Sequence, residues 1–188
     1  DPLISSTFIG GSDSEFSSFN IVLDTSGNVF VAGTTSSTNY PTTSGVFDTV
    51  HVSGFVSKLN SNLTTLLAST YIGGSESDDL FGITFDNSAN VFVTGRTQSS
   101  NYPTTAGAYD DTFNGGTTVD ADGIIDILDD GIISKLNNNL DSLLSSTFIG
   151  GSNEDEAFAM TADASGDVFV VGVTASPEFP TTAWPAYD

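Results

Sequence analysis

A six-residue phrase, Ser-Thr-Phe/Tyr-Ile-Gly-Gly, occurs three times in this chain of 188 residues. Its copies begin at Ser6, Ser69 and Ser146, so successive copies lie 63 and 77 residues apart. Self-similarity at such a spacing is typical of a supersecondary unit that stacks on copies of itself. The chain is therefore expected to fold as an array of repeated units, a constraint that bears more on its fold than on its function.

Further landmarks follow the phrase in a fixed order. An aspartate, a tight turn and an apolar run begin at Asp24, Asp86 and Asp163, and an aromatic residue then precedes Pro-Thr-Thr in every copy. A Gly-Phe-Val-Ser-Lys-Leu-Asn segment at Gly54 has one counterpart, at Gly131. The chain stops before a third counterpart, and we therefore expect two complete repeats and a partial third.

The turn after each of these aspartates joins two short β-rich runs and is predicted to be a hairpin turn. Gly27 and Gly166 suit the positive φ that such turns require. Ala89 occupies the same position in the second repeat. A left-handed conformation would cost this alanine about 1 kcal/mol.

Each repeat offers four short strands, which in the first copy are expected over residues 19–24, 28–34, 54–60 and 64–72. No stretch shows helical periodicity with caps. Four-stranded units that pack face to face are typical of propeller blades. A β-solenoid is the alternative, but its coils are usually far shorter. The predicted fold class is all-β, with β-propeller-type four-stranded blades that are left open or are completed by other chains.

The combination of these motifs is similar to a known pattern. The repeated phrase, the Asp-x-Ser-Gly-Asn-Val-Phe-Val-x-Gly run, the aromatic-Pro-Thr-Thr motif and the Phe-Val-Ser-Lys-Leu-Asn segment together resemble the bacterial seven-bladed β-propeller repeat family, known as SBBP repeats. The resemblance covers nearly the whole chain. It implies propeller blades in a protein that is secreted or attached to the bacterial cell surface, with no enzyme activity and no catalytic residues.

The repeats divide the chain into blades over residues 1–68 and 69–145 and a partial blade over 146–188. Residues 3–9 match the final strand of a blade, so they are expected to belong to a preceding one. Open strand edges invite pairing with other chains. We expect either a longer polypeptide or strand addition between subunits, with residues 3–9 as donor and the edge at 167–174 as acceptor. A head-to-tail contact that does not close gives a filament.

The net charge of the chain restricts the classes of partner that it can bind. It carries 24 acidic residues against three Lys and Arg residues, a formal net charge of −21. This excludes direct nucleic-acid binding, which needs clustered basic residues, and it disfavours docking on anionic lipid. The sequence contains neither a membrane-spanning segment nor a cysteine, which is compatible with an extracellular location. Asn62 begins a glycosylation sequon in a predicted turn.

The second repeat is 14 residues longer than the first, and the extra length falls in residues 114–130. Its aspartates around Gly123 resemble the calcium loop of EF-hand and dockerin modules, and calcium prefers six to eight hard oxygen ligands of this kind. Thr118 stands where the first aspartate of that loop belongs. The alternative is an exposed acidic loop without a cation. The predicted calcium ligands, which include one backbone carbonyl and one additional carboxylate, are Asp120, Asp122, Ile124, Asp126, Asp129 and Asp130.

No catalytic residue is predicted. His51 is the lone histidine, and a surface position is expected for it. Acid pairs such as Asp78 and Asp79 suit glycosidase chemistry, but nothing in the sequence fixes their separation. The acidic clusters at 76–79 and 154–156 are interpreted as exposed loop side chains rather than cation sites.

These observations favour a non-enzymatic, extracellular structural or adhesive protein that forms homo-oligomers or polymers, as in a fibre, sheath or matrix. The alternative is a module that binds carbohydrate or other surface proteins, and a hydrolase is a weaker third option. A sugar-binding groove would expose the aromatic residues after each strand pair, whereas a scaffold would bury them. These residues are Tyr40, Tyr102, Phe179 and Trp184.

Overall fold

The computed structural model describes residues 2–119, 122–123 and 125–182, with the backbone alone at residues 17–19. The described residues form twelve β-strands, and no helix among them is long and apolar enough to cross a membrane. The strands are β1 (Glu15–Leu23), β2 (Val29–Thr35), β3 (Gly54–Leu59), β4 (Leu66–Tyr71), β5 (Asp78–Phe85), β6 (Val91–Thr97), β7 (Thr117–Val119), β8 (Ile125–Ile127), β9 (Asp130–Leu136), β10 (Leu143–Ile149), β11 (Asp155–Ala162) and β12 (Val168–Thr174).

The strands form consecutive antiparallel sheets that match the repeats. Blade 1 has the order β1-β2-β3-β4, and blade 2 has the order β5-β6-β9-β10. The third repeat contributes the two-stranded sheet β11-β12, which we call blade 3. The predicted all-β fold with four-stranded blades is confirmed, and the sheets remain separate rather than closing into one barrel.

The turn between the first two strands of each blade is held by its aspartate. Asp24 Oδ1 accepts two backbone hydrogen bonds from the turn, both at 2.9 Å. The glycine positions have the predicted left-handed backbone, with φ of 78° at Gly27 and 88° at Gly166. Ala89 has φ of 60°, so the strained alanine expected in the second repeat is confirmed.

The core lies between the blade faces. We call the contact of blades 1 and 2 the first seam and that of blades 2 and 3 the second seam. Phe30 of β2 and Phe85 of β5 meet edge to face across the first seam, with ring centroids 4.9 Å apart. Phe81 of β5 and Phe158 of β11 approach across the second, at 5.8 Å. Each large apolar side chain buried there contributes about 1.5–3 kcal/mol. Fully buried members of this core include Phe30, Val56, Val91, Val93, Ile132 and Leu136.

Residues 2–14 precede β1 and form no strand. Leu3, Ile4 and Phe8 are exposed, although they match strand residues of β4 in the repeat alignment. A strand needs a neighbour to satisfy its backbone groups. The described residues provide no such neighbour for 3–9, so the expected strand is not formed within this chain, and its membership of another blade stays a prediction.

The insertion in the second repeat forms a hairpin of β7 and β8 between β6 and β9. Gly123 lies in the connection with φ of 81°. The hairpin base is fixed by a 2.8 Å hydrogen bond from the Leu128 N–H to the Gly116 carbonyl. Gln98 Nε2 also donates to the Ile127 carbonyl at 3.1 Å. The insertion is thus tied to the end of β6 that faces the second seam.

Candidate functional site

Each Gly-Gly turn closes over an acidic side chain four residues later. The N–H of the second glycine donates to that carboxylate, and a serine hydroxyl from the loop after the second strand donates to the same group. The first bond measures 2.9 Å for Gly11 with Glu15, 2.8 Å for Gly74 with Asp78 and 2.7 Å for Gly151 with Asp155. The hydroxyl donors are Ser37, Ser99 and Ser176.

Two of these acids lie in the interior, which corrects the interpretation of the clusters 76–79 and 154–156 as exposed loop side chains. Asp78 is 0% exposed and Asp155 is 1% exposed. Each is the first residue of the first strand of its blade, and the Gly-Gly turn covers its carboxylate. Burial raises the pKa of Asp78 to about 6. The constant spacing of four residues between the second glycine and the acid is the signal in the sequence that identifies this element.

The first seam satisfies its buried acid with hydroxyl groups. Ser53 Oγ accepts a hydrogen bond from the Asp78 N–H at 2.7 Å and donates to the Asp78 carbonyl at 3.1 Å. Thr97 Oγ1 donates to Asp78 Oδ1 at 2.5 Å, and the glycine and serine described above donate to Oδ2. Both carboxylate oxygens of Asp78 therefore have partners.

The second seam carries an additional buried acid. Asp130 begins β9 at the repeat position that Ser53 holds before β3, and it is 0% exposed. Its Oδ2 accepts the Asn114 N–H at 2.5 Å, whereas Oδ2 of Asp155 accepts the bonds of its own turn. The Oδ1 atoms of Asp130 and Asp155 are buried without a hydrogen-bond partner among the described residues. Burial raises the pKa of Asp130 to about 6.

Arg96 joins the acids at the outer part of the same seam. Its Nε lies 2.9 Å from Asp79 Oδ2, and its Nη1 lies 3.1 Å from Asp129 Oδ2 and also contacts Glu156. Glu154 lies beside them, because oxygens of Asp129, Glu154 and Glu156 fall within 4.8 Å of one another. The guanidinium is thus the cation of this cluster. In the first seam, Thr34 takes the place of Arg96 and donates to Asp79 at 3.0 Å.

The predicted calcium ligands are divided between two places. Asp122 lies in the hairpin connection, and Asp126 is exposed on β8 opposite Thr118. Asp129 and Asp130 are buried at the start of β9, where they have the partners given above. Asp120 and Ile124 lie outside the described residues. A calcium site at the hairpin therefore stays a prediction, and it draws most directly on Asp122 and Asp126.

Two of the four aromatic residues named in the sequence analysis are buried. Tyr40 and Tyr102 are buried, and their hydroxyl groups bond to Ser57 Oγ at 2.9 Å and Ser134 Oγ at 3.0 Å. Phe179 is half-buried. Trp184 lies outside the described residues.

The residues considered as weaker catalytic candidates make contacts with neighbouring parts of the fold. His51 is exposed and contacts the ring of Tyr71, with centroids 5.5 Å apart. Asp79 is bound by Arg96 and by Thr34, and its neighbour Asp78 is enclosed by the Gly-Gly turn. Neither acid of this pair faces an open groove with a free carboxylate.

Both ends of the blade array present apolar faces. On β12 the exposed side chains Phe169, Val171 and Val173 alternate along one side of the strand. Phe169 is 59% exposed, whereas Phe92, at the same position in β6, is 7% exposed because blade 3 covers it. On β1 the large apolar side chains that are exposed are Phe16, Ile21 and Leu23. These end faces repeat the composition of the buried seams without a neighbouring blade.

Comparison with known proteins agrees with this architecture. The model of the SBBP β-propeller repeat matches residues 6–41 and 69–103. These two segments are similar to the SBBP β-propeller repeat. Each matched SBBP segment runs from the Gly-Gly phrase through the buried or capped acid and the first two strands to the aromatic-proline motif. A search of curated proteins found no significant match. The matched repeats and the four-stranded sheets both agree with a propeller-type module.

Proposed function

We propose that this SBBP-repeat chain is a non-enzymatic structural or adhesive module of an extracellular bacterial assembly, such as a fibre, sheath or matrix. It associates with further blades through its end faces and through the free edge of β12, and calcium at the β7–β8 hairpin supports it. The observation that carries the proposal is the exposure of end-face residues whose equivalents are buried in the seams.

The two end faces are complementary in a head-to-tail sense. In the first seam, Phe30 of β2 packs against Phe85 of β5. The repeat equivalents of these two residues at the ends of the array are Phe169 and Leu23, and both are exposed. A second copy can therefore place Leu23 on Phe169 in the arrangement that the first seam already uses. Such a heterologous contact extends into a filament unless its rotation closes a ring.

The edge of β12 offers a second means of association. Its equivalent β6 pairs with β5 on one side and with β9 on the other, whereas β12 pairs only with β11 in the described part of the chain. Backbone groups along the other edge of β12 are available to a donor strand. The exposed segment 3–9 is the donor that the repeat alignment suggests, and it contains Leu3, Ile4 and Phe8.

The charge of the chain opposes association at low ionic strength. A net charge of −21 produces repulsion between copies that salt screens within about 8 Å at physiological strength. Association through apolar end faces should therefore strengthen as sodium chloride is raised from 10 to about 300 mM. An assembly held by ion pairs would weaken under the same change.

Sedimentation velocity over a range of protein concentrations tests the proposal. Val171→Glu should reduce association at least tenfold, because it places a charge at the centre of the β12 face. Val50→Glu, at an exposed loop position, is the matched control and should leave association unchanged. Removal of residues 1–9 tests the donor strand separately. A wild-type chain that stays monomeric at high concentration and high salt would contradict self-association.

A second candidate function is binding of a carbohydrate. An open cleft of about 310 Å³ is lined by the exposed ring of Tyr109 together with Asp110, Asn114 and Glu178. An exposed aromatic ring beside carboxylate and amide groups suits a sugar face and its hydroxyls. Binding to a glycan array that is lost in Tyr109→Ala would support this function. Binding that survives the substitution would exclude this cleft.

A further inference from the structure

We propose that the second seam contains a cation site, in which the carboxylates of Asp130 and Asp155 hold a divalent ion of the calcium type. The site is distinct from the hairpin site, and it does not depend on the proposed function. It rests on two buried carboxylates, each of which has one oxygen bound by the protein and one oxygen without a partner.

The two carboxylates lie near the same glycine. A Cβ built on Gly150 would fall within 3 Å of both Asp130 Oδ1 and Asp155 Oδ2, so the two carboxylates flank one point of the backbone. The two residues are 0% and 1% exposed, respectively. An ionised carboxylate in such a place requires a counter-charge, since an unpaired buried charge is strongly unfavourable.

No basic side chain of the chain supplies that charge. The sequence contains three Lys and Arg residues. Lys58 pairs with Asp24, Lys135 pairs with Asp86, and Arg96 pairs with the outer acids of the seam. An external cation is therefore the remaining source of a counter-charge for two ionised groups.

The first seam provides an internal comparison. There the position of Asp130 is held by Ser53, whose hydroxyl bonds to the backbone of Asp78. Thr97 satisfies the remaining oxygen of Asp78, whereas the same oxygen of Asp155 lacks a partner among the described residues. The second seam thus exchanges a neutral hydroxyl for a second carboxylate. In addition, Thr174 pairs with Asp155 as Thr97 pairs with Asp78, but it makes no hydrogen bond to Asp155 Oδ1. That pair of differences is expected where a cation replaces hydrogen-bond donors.

The chemistry of the ligands favours calcium. Hard cations take carboxylate and carbonyl oxygens, and calcium tolerates irregular geometry with six to eight of them. The cleft lined by Asp110, Asn114, Gly150 and Gly151 reaches the same glycine and gives an approach from solvent. Asp110 lies nearby, since Asn114 donates its backbone N–H to Asp130 Oδ2 and its side-chain amide to Asp110 Oδ2.

Calorimetric titration of the chelator-treated full chain with calcium chloride tests this site, together with thermal unfolding. At calcium 100 times above its Kd, the melting temperature should rise by about 5–10 °C. Asp130→Ser rebuilds the arrangement of the first seam and should fold, but it should lose this binding event. Asp155→Asn should lower the affinity at least tenfold.

The hairpin variant Asp122→Ala with Asp126→Ala separates the two calcium proposals. It should retain the seam event, whereas loss of calcium binding in this variant alone would assign all binding to the hairpin. The proposal is overturned if Asp130→Ser binds calcium as the wild type does. It is also overturned if the wild type binds no calcium.

Discussion

Ile21 and Ile83 occupy the same position in successive blades, opposite Val31 and Val93 respectively, yet Ile21 is 63% exposed and Ile83 is 3% exposed. The difference arises from the neighbour rather than from the strand. Blade 1 covers the face of β5 that contains Ile83, whereas the corresponding face of β1 has no blade against it. The same side chain is thus core in one repeat and an open surface in another.

Comparison of these two isoleucines predicts how much the burial of one side chain in a seam contributes to the free energy of unfolding. Ile83→Ala should lower the free energy of unfolding by about 2–4 kcal/mol, because it leaves a cavity in the core. Ile21→Ala should change it by less than about 0.5 kcal/mol in a dilute, monomeric sample. Urea unfolding followed by circular dichroism measures both values. A large effect of Ile21→Ala that appears only at high protein concentration would show that the β1 face is covered in an assembly.

The turn of the second blade offers a stabilising substitution. Ala89 has φ of 60°, in a region that glycine adopts readily and alanine does not. Ala89→Gly should therefore stabilise the protein by about 0.5–1 kcal/mol, which raises the melting temperature by about 2–4 °C.

Ser88→Gly is the matched control for that turn. It adds the same backbone freedom to the unfolded chain at a position without a positive φ, so it should destabilise the protein slightly. Differential scanning calorimetry distinguishes the two substitutions. Equal melting temperatures for Ala89→Gly and Ser88→Gly would refute the strain assigned to Ala89.

The blades could be predicted from the sequence because their signals are local. The aspartate, the turn and the apolar run around Asp24 lie within a few residues of each other, and they form the hairpin that the sequence predicts. The start of β1 is not predicted correctly from the sequence, since this strand begins at Glu15 rather than at residue 19. A bulge between Ser17 and Ile21 interrupts its pairing and obscures the alternation of side chains.

The second seam could not be predicted, because its contacts join distant parts of the chain. Arg96 binds acids that lie 17, 33 and 60 residues away in sequence. The burial of Asp155 depends on Ser176, which only the complete hairpin of blade 3 brings near. Local patterns showed acidic clusters at these positions, but the fold decides which member of a cluster is enclosed.

The buried acid of the first seam predicts an unusual pH dependence. Burial raises the pKa of Asp78 from 3.8 to about 6. The hydrogen bonds to its carboxylate lower this pKa in part, and the nearby negative charge of Asp79 raises it. The folded state therefore binds this proton more tightly than the unfolded state does. The corresponding stability is complete below about pH 4 and is lost as pH rises through 6. The free energy of unfolding should rise by about 1–3 kcal/mol between pH 7.5 and 5.

At lower pH the sign reverses because of Asp86. Burial acts to raise its pKa, but the hydrogen bonds from Lys135 and from the turn around Asn90 outweigh burial and lower the pKa from 3.8 to about 2. This group stabilises the fold above pH 4, and that stability is lost as pH falls through 2. Urea unfolding between pH 2.5 and 8 in chelator should therefore show a maximum near pH 4–5. Asp78→Asn should reduce the rise between pH 7.5 and 5 without abolishing it, because Asp130 also has a pKa raised to about 6. An unchanged profile in that variant would contradict the assignment.

Arg96 is predicted to be the main electrostatic link across the second seam. Its side chain is about one-third exposed and bonds to Asp79, Asp129 and Glu156. Arg96→Met should destabilise the protein by about 2–3 kcal/mol, because it leaves these acids facing one another without a cation. Adding Glu156→Gln to that variant should recover part of the loss, whereas Glu156→Gln alone should destabilise. A double-mutant cycle from urea unfolding should give a coupling of about 1–2 kcal/mol. Strictly additive effects would mean that Arg96 contributes through its packing on Phe81 and not through its charge.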